Sequence, residues 1–297
     1  MSLAPRDLAL LVLLDRTPAT AAQIVKASIT FGGEPFRNER RVRERMQALG
    51  RTGLVRAFTL AISGGGSANY YKLTAEGYRM VHGADALLPH RSFFAALAPA
   101  RLMHTLELAD LVVHALACAH TRRIKVSSFH RENELLLEVG AHRVAPDCHL
   151  QFSAAGRLFN VLFELDRSTE SLDSNAATSI RTKLLAYEAY QDHVWGIWKR
   201  AGEQGPRPYF RVVFLTMTIE RAHHILALAR QCARNPDRRL CYADTRESFL
   251  TEPDAVRAPI FLDHHGRWQA LVNLYPSAHF TRSPVRIAPY VQLALGV

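Results

Sequence analysis

Cysteine is scarce in this sequence, and long apolar runs are lacking. Its 297 residues include four cysteines, Cys118, Cys148, Cys232 and Cys241, and no two of them form a C-x-x-C pair. This spacing excludes a zinc ribbon and a disulfide framework, so we expect buried thiols in a reducing compartment. No run of about eighteen residues is both apolar and uncharged, and the first residues lack the basic start of a signal peptide. We therefore predict a cytoplasmic protein that has no membrane partner.

Acidic residues are also scarce relative to basic ones. There are 27 Asp and Glu against 37 Lys and Arg, which gives a formal net charge of +10. The contents of 48% hydrophobic and 22% charged residues are those of a globular protein, and they exclude a disordered or fibrous chain. The length fits one or two domains. The basic balance favours a polyanionic partner such as nucleic acid.

The first eighty residues predict three helices, over 6–14, 20–27 and 34–49. In the third helix the apolar residues Val42, Met46 and Leu49 follow the spacing i, i+4, i+7. This spacing places them on one buried stripe.

Arginine dominates the rest of the third helix and its surroundings. Between positions 37 and 56 there are seven arginines and only two acidic residues. Guanidinium groups match phosphate oxygens and the guanine edge, which both accept paired hydrogen bonds. The predicted DNA-binding residues are Arg37, Arg40, Arg41, Arg43, Arg45 and Arg56. A solvated helix face in a protein-interaction module is the alternative interpretation.

Two extended runs, 54–60 and 70–73, follow the helices and flank a glycine-rich tip at 64–67. Three helices and then a glycine-tipped hairpin is the element order of a winged helix-turn-helix. The tip has no Lys or Arg, so we expect the third helix rather than the wing to provide most of the affinity for DNA.

Specific residues of this region resemble the winged-helix family. They are Gly50 at the end of the third helix, the Gly-Leu-Val step at 53–55, and the string Tyr-Lys-Leu-Thr-Ala-Glu-Gly at 71–77. The resemblance implies a DNA-binding winged helix-turn-helix domain over residues 1–85. We assign residues 86–120 to a linker and connecting helix, and residues 121–297 to a mixed-sheet α/β domain.

The second domain contains a predicted hairpin of strands 144–152 and 158–166. Alternation along the second strand places Phe159 and Phe163 on one face and Glu164 and Asp166 on the other. A turn centred near residue 155 opposes positions whose numbers sum to about 310, which sets Asp147 across from Phe163.

Three carboxylates, those of Asp147, Glu164 and Asp166, are therefore predicted to converge. Such a cluster is costly unless a cation or shared protons neutralise it, and hard divalent cations prefer carboxylate oxygen. Mg²⁺ or Mn²⁺ on Asp147 and Glu164 is the resulting metal prediction. The alternative is a strand whose acidic end is simply solvated.

A helix over 176–200 follows the hairpin. Its residues Lys183, Tyr187 and Tyr190 share one face through the spacing i, i+4, i+7. Lys183 on that face can reach the carboxylates and hold a phosphate or an attacking water. The other interpretation is an amphipathic helix with two core aromatics and a lysine whose stem lies along apolar surface.

The hairpin resembles the PD-(D/E)XK nucleases. Pro146-Asp147 matches the first element of that signature and Glu164 the second, whereas Asp166 stands where the family has lysine. The resemblance implies a restriction-endonuclease-like α/β fold with Asp147, Glu164, Asp166 and Lys183 as catalytic residues, Lys183 replacing the missing lysine. The departure at position 166 argues against hydrolysis.

The chain as a whole is similar to the replication-relaxation family of plasmid and integrative-element proteins. The similarity covers about residues 5–230, and its most specific part is Phe-Glu-Leu-Asp-Arg-Ser-Thr-Glu at 163–170, with Lys-Leu-Leu-Ala-Tyr-Glu-Ala-Tyr at 183–190. It implies an accessory or regulatory protein of a mobile element, and with Asp166 in place of lysine we expect its nuclease-like domain to be non-cleaving or weakly active. The implied partners are double-stranded DNA, a second copy of the chain as a homodimer, and relaxase or replication proteins.

Two further functions stay open. One is an active Mg²⁺-dependent DNA endonuclease or nickase that uses Asp147, Glu164 and Lys183. The other is a module that binds only protein. Residues 238–297 contain no motif with ligand spacing, and we assign them no role.

Overall fold

The computed structural model describes residues 3–61, 67–174, 176, 179–274 and 287. The chain divides into two compact units, residues 1–121 and 122–297. The fold combines helices with sheets of antiparallel and mixed type, which confirms the predicted α/β class.

The first unit contains these helices and strands in its described residues: α1 (Pro5–Arg16), β1 (Ala19–Thr20), α2 (Ala21–Ala27), α3 (Glu39–Arg51), β2 (Val55–Ala61), β3 (Ser67–Leu73), α4 (Ala75–His82) and α5 (Pro99–Thr121). The three strands form one sheet in the order β1-β3-β2. The order of three helices and then a hairpin is the one predicted from the sequence. The predicted glycine tip at 64–66 lies outside the described residues.

Helices α2, α3 and α4 begin at side-chain caps. Thr20 accepts a hydrogen bond from the Gln23 amide, and the Gln23 side chain accepts one from the Thr20 amide, which is a capping box. Asn38 accepts from the Arg41 amide at 3.1 Å. Helix α3 therefore starts at Glu39, five residues later than the predicted 34, because Asn38 caps it.

Packing explains why the residues at 71–77 are specific for the winged-helix pattern. Gly77 in α4 packs directly on the residue before β2, and a Cβ atom there would lie 2.0 Å from the Leu54 carbonyl oxygen. Thr74 accepts a hydrogen bond from the Gly77 amide at 3.0 Å and donates one to the Gly53 carbonyl at 2.6 Å. Only glycine fits at position 77, and Thr74 ties the start of α4 to the turn before β2.

Helix α5 packs within the first unit, although we predicted it as part of a linker and connecting helix. The Gln23 side-chain amide donates to the Leu106 carbonyl and to the Asp110 carboxylate, both at 2.8 Å. The segment before α5 is tied to the hairpin, because Lys72 Nζ donates to the Ala95 carbonyl at 2.7 Å.

By length and composition, α5 is also apolar enough to cross a membrane. Of its most apolar window, 67% is buried. A core helix of a globular unit passes the same test of composition, so this helix is weak evidence for a membrane span.

The second unit contains these elements in its described residues: β4 (Lys125–His130), β5 (Leu137–Val139), β6 (His142–Val144), β7 (Cys148–Ala154), β8 (Arg157–Asp166), α6 (Ile180–Arg200), β9 (Phe210–Thr216), α7 (Ile219–Cys232), β10 (Cys241–Thr245), α8 (Arg246–Thr251), β11 (Phe261–Asp263) and β12 (Trp268–Gln269). The main sheet has the order β12-β11-β10-β9-β8-β7-β4. Strands β8, β9 and β10 run parallel, and the other pairs are antiparallel.

Helices α6 and α7 are the crossovers between the parallel strands, and both contribute to one hydrophobic core. That core joins Leu184 and Tyr187 of α6 and Ile225 of α7 to Leu162 and Phe214 of the sheet. The side chain of Glu164, two residues after Leu162, therefore points to the face that α6 covers. Residues after 238, to which we assigned no role, supply the strands β10, β11 and β12.

The β7–β8 hairpin differs by one residue from the predicted register. Ala155 and Gly156 both have positive φ, 48° and 70°, so they form a two-residue turn whose centre lies between them. Cys148 rather than Asp147 is therefore opposite Phe163. The Asp147 amide donates to the Phe163 carbonyl at 3.0 Å, which keeps Asp147 beside the pairing.

Candidate functional site

Strand β8 and helix α6 hold the acidic site of the second unit. Glu164 is 2% exposed, and its two carboxylate oxygens have different partners. Lys183 Nζ lies 2.9 Å from Oε2, and the Tyr187 hydroxyl donates to Oε1. Lys183 and Tyr187 are one helical turn apart, as the i, i+4 spacing predicted, and the structure brings both to the predicted carboxylate.

Glu170 completes the surroundings of Lys183, and the sequence reasoning missed it. Lys183 Nζ donates to Glu170 Oε1 at 2.9 Å, so the ammonium group is shared by two carboxylates. Glu170 is the last residue of the 163–170 string, which was the signal available to find it. We call Asp147, Glu164, Glu170, Lys183 and Tyr187 the carboxylate cluster.

Burial controls the charge of this cluster. It raises the pKa of Glu164 from 4.5 to about 7, an increase that nearby Asp147 reinforces and Lys183 opposes. Burial acts to lower the pKa of Lys183, but the carboxylates of Glu164 and Glu170 outweigh it and raise that pKa above its ordinary value. The lysine therefore stays protonated and neutralises part of the cluster.

Asp147 is the carboxylate of the cluster that is best placed for a cation. Its Oδ2 accepts the Leu165 amide at 2.7 Å, which fixes the side chain at the end of the hairpin. A carboxylate oxygen of Glu132 lies within 4.8 Å of one of Asp147, a separation that one metal ion can bridge. Asp147 and Glu132 therefore offer two carboxylate oxygens to a divalent cation, and the two oxygens of the predicted ligand Glu164 contact Lys183 and Tyr187.

Asp166 does not join this cluster. The guanidinium of Arg221, in α7, donates to Asp166 through Nε at 2.5 Å and through Nη2 at 3.2 Å. Asp166 is 4% exposed, so this is a buried ion pair. Asp166 was predicted to converge with Asp147 and Glu164, and the structure pairs it with Arg221, a cation that the sequence reasoning did not consider.

In the first unit, α3 separates its apolar and charged residues as predicted. Val42, Met46 and Leu49 are buried. Arg40, Arg41, Arg43, Gln47 and Arg51 are exposed, and we call these five residues the arginine face. Arg51 and Gln47 were missing from the predicted DNA-binding residues.

The ion pairs on the arginine face are exposed to solvent. Arg40 and Arg41 both contact Glu44, at 3.0 and 2.9 Å, and Arg43 contacts Glu39 at 2.5 Å. The side chains of Arg40 and Arg41 remain 83% and 67% exposed. Exposed pairs of this kind contribute little free energy and are screened by salt, so a phosphate can replace the carboxylate.

Arg45, which was also predicted to bind DNA, is only 31% exposed and is paired within the unit. Its guanidinium binds the buried carboxylate of Asp7 through Nε, at 2.6 Å, and Nη2. Asp7 also accepts from the Ala4 amide at 3.0 Å at the start of α1. Arg45 therefore joins α3 to α1 and stabilises the structure of the unit.

The remaining predicted arginines lie at the edges of the arginine face. Arg37 is exposed in the loop before α3, where a groove of about 510 Å³ runs between it, Arg6 and Arg41. A second groove, of about 730 Å³, lies between α3 and the hairpin and is lined by Arg40, Arg43 and Arg51 among others. Arg56 is exposed on β2, with its guanidinium 5.3 Å from the centre of the Phe58 ring.

Comparison with solved structures finds the restriction endonuclease FokI. The match has 13% sequence identity, a TM-score of 0.28, and covers 84% of this chain and 43% of that one. This chain thus spans less than half the length of FokI, and the TM-score is too low to support a conclusion about the fold. No curated protein sequence matches the chain.

The sequence itself matches a family model. The model is that of the replication-relaxation proteins, and it matches residues 10–204, which include α3, the β7–β8 hairpin and the whole carboxylate cluster. The match extends over more than half of the chain, and the chain therefore belongs to the replication-relaxation family.

Proposed function

We propose that this protein is a double-stranded DNA-binding accessory protein in the replication or relaxation of a mobile element, and that α3 is its DNA-reading helix. The observation that carries the proposal is the arginine face, four exposed arginines and a glutamine on one helix. Arginine pairs with phosphates and with guanine, and glutamine pairs with adenine in the major groove. Membership of the replication-relaxation family supports the same role.

Salt dependence of duplex binding tests this proposal. Each phosphate contact releases counterions, so the logarithm of affinity falls with the logarithm of salt by roughly 0.9 per contact. We expect the double variant R40Q/R41Q to bind a fluorescent duplex at least about tenfold more weakly, with the slope reduced by about one to two.

A matched control removes the same charge elsewhere. Arg143 and Arg257 are exposed in the second unit, and R143Q/R257Q also lowers the net charge by two. It should bind the duplex like the wild type. Equal losses in both double variants would indicate nonspecific attraction, and wild-type affinity in R40Q/R41Q would remove α3 as the DNA-reading helix.

A second candidate function, a metal-dependent nuclease, is favoured by one observation. Asp147 and Glu132 place carboxylate oxygens within 4.8 Å of each other, next to the cluster that contains Lys183. A bound Mg²⁺ or Mn²⁺ would polarise a phosphate and lower the pKa of a water molecule. Lys183 would hold a phosphate oxygen only by giving up a contact with Glu164 or Glu170. These existing contacts make the non-cleaving role the better supported one.

Cleavage of a supercoiled plasmid separates the two functions. We expect the wild type and Asp147→Ala to leave the plasmid equally intact with Mg²⁺ and with Mn²⁺. Nicking by the wild type that is lost in Asp147→Ala would establish the nuclease instead.

A further inference from the structure

The second unit has a cleft at the end of the sheet opposite to the carboxylate cluster. Glu164 lies near the carboxyl ends of the parallel strands, whereas the cleft lies where β8, β9 and β10 begin. Its volume is about 800 Å³, and its lining includes Arg157, Arg211, Arg238 and Arg239. The only acidic residue in the described lining is Asp237. The proposed function uses none of these residues.

Two of the four arginines have no carboxylate partner among the residues that the structure describes. Arg211 is held by neutral groups: its Nε donates to the Tyr242 hydroxyl at 3.2 Å, and its guanidinium lies 5.5 Å from the centre of the Phe159 ring. Arg157 lies 5.2 Å from the same ring, and its Nη1 donates to the Asn273 carbonyl at 3.3 Å. One ring thus positions two cations that no carboxylate of the described residues neutralises.

The other two arginines of the cleft have carboxylate partners, and Arg239 Nε lies 3.9 Å from Asp263 Oδ2. Arg238 binds Glu188 at 3.0 Å and also Asp192, so its charge is already compensated. Arg157 and Arg211 are therefore the cations best able to bind an anion. A guanidinium pair of this kind suits the oxygens of a phosphodiester.

Beside the arginines is an aromatic surface. The rings of Trp195 and Tyr209 are stacked, with centres 5.0 Å apart and planes 23° apart. Tyr209 is 47% exposed. An exposed aromatic ring next to cations is the arrangement on which single-stranded nucleic acids stack their bases.

We infer that this cleft binds single-stranded DNA, with a base stacked on Tyr209 and the adjoining phosphates on Arg157 and Arg211. The choice of DNA over RNA rests on the proposed function, since nothing in the cleft itself selects the sugar. A paired duplex hides the faces of its bases, so the cleft and the arginine face take different forms of DNA.

Fluorescence provides the test, because Trp195 lies in the cleft. Titration of the full chain with oligo(dT) should quench tryptophan emission. Inorganic phosphate at the same phosphate concentration, or dTMP at the same nucleotide concentration, should quench far less. Tyr209→Ala should weaken oligo(dT) binding by at least about tenfold through loss of stacking. Tyr209→Phe keeps the ring and should bind like the wild type.

Charge is tested by a matched pair of exposed arginines in the same unit. Arg157→Gln should weaken oligo(dT) binding and lower its salt slope by about 0.7. Arg257→Gln, outside the cleft lining, should change neither. Both arginines are exposed, so neither substitution removes core packing.

Several outcomes would overturn the inference. They are no quenching by oligo(dT), equal binding by Tyr209→Ala and wild type, equal quenching by free phosphate, and binding of oligo(rU) without binding of oligo(dT). Failure of the single-strand inference can be distinguished from failure of the proposed duplex binding. Cleft variants should keep duplex affinity, and R40Q/R41Q should keep the Tyr209-dependent part of oligo(dT) binding.

Discussion

The arginine face and the carboxylate cluster use the same chemistry, ion pairs between basic and acidic side chains, in opposite surroundings. On α3, Arg40 and Arg41 share Glu44 in full contact with solvent. In the second unit, Lys183 is shared by Glu164 and Glu170 where Glu164 is almost completely buried. Exposure leaves the first set free to exchange partners, and burial fixes the second set.

This difference separates a binding surface from a structural site. A ligand that replaces Glu44 gains two guanidinium groups for a small loss, since exposed pairs contribute little. A ligand that takes Lys183 from Glu164 must compensate for a buried carboxylate without its cation. The comparison therefore predicts that substitutions in the cluster act on stability and that substitutions on the arginine face act on DNA affinity.

Removal of the buried lysine should have the largest effect. Lys183→Met leaves Glu164 buried without its ammonium partner, and we expect the free energy of unfolding to fall by about 3 kcal/mol at pH 8. Denaturant unfolding measures this change. The exposed Lys199 on the same helix gives the control, because Lys199→Met should stay within about 0.5 kcal/mol of the wild type.

A double variant shows whether the cause is charge rather than packing. In Lys183→Met/Glu164→Gln the uncompensated carboxylate is gone, so most of the lost stability should return. No recovery in the double variant would mean that Lys183 stabilises the unit through its alkyl stem.

The pH dependence of stability should report Glu164 with the next largest effect. The folded chain keeps the Glu164 proton up to about pH 7, whereas an unfolded chain releases it near the ordinary pKa of 4.5. The folded state thus binds more protons in this window, and the stabilisation present below pH 4.5 is lost as the pH rises to 7. The loss is at most roughly 3 kcal/mol.

Glu164→Gln removes this titration, so its unfolding free energy should decline less than that of the wild type between pH 4.5 and 7. Glu138→Gln, at an exposed position on β5, should follow the wild-type curve. Parallel curves for the wild type and Glu164→Gln would show that Glu164 has an ordinary pKa.

Local sequence patterns predicted the helices and strands, and they also predicted that Lys183 lies near the carboxylates. The spacing of Lys183 and Tyr187 is fixed by the helix, and the alternation of β8 fixes the face of Glu164. Both features depend only on residues near in sequence. The register of the hairpin needed one more fact, the two positive φ angles at Ala155 and Gly156, and a one-residue error followed.

Partners that are distant in sequence could not be predicted in this way. Asp166 binds Arg221, 55 residues away, and Arg45 binds Asp7, 38 residues away. Both partners depend on how helices pack in three dimensions, which no local periodicity specifies. In both cases the fold pairs a predicted site residue with a charged residue far away in sequence.

Arg45 and Arg41 lie on the same helix, so they can be compared directly. The effect of substituting Arg45 on stability should be smaller than that of substituting Lys183. Arg45→Met leaves the buried Asp7 carboxylate with the Ala4 amide as a remaining donor, so we expect a loss of about 2 kcal/mol. The slope of duplex binding against salt should not change. Arg41→Met should do the reverse, with unfolding unchanged and the slope reduced by about one. A reduced slope in Arg45→Met would return Arg45 to the DNA-binding residues.

The smallest expected effect concerns Glu44, which competes with DNA for the arginine face. Hydrogen bonds from Arg41 and Arg40 lower the pKa of Glu44, so it is charged at neutral pH. Glu44→Gln frees both arginines and removes a repulsion toward phosphates. Duplex affinity should rise about threefold at low salt, and the gain should shrink as salt screens the charges.

The midpoint of thermal unfolding should move by no more than about 2 °C in Glu44→Gln, because the pairs that it breaks are exposed. Glu76→Gln is a suitable control, since Glu76 pairs with Arg79 on α4, away from the arginine face. Unchanged affinity in Glu44→Gln would mean that Arg40 and Arg41 do not reach the duplex. Weaker binding would mean that Glu44 orients these arginines for DNA, so that the exposed pairs on α3 would matter for function in the geometry that they already have.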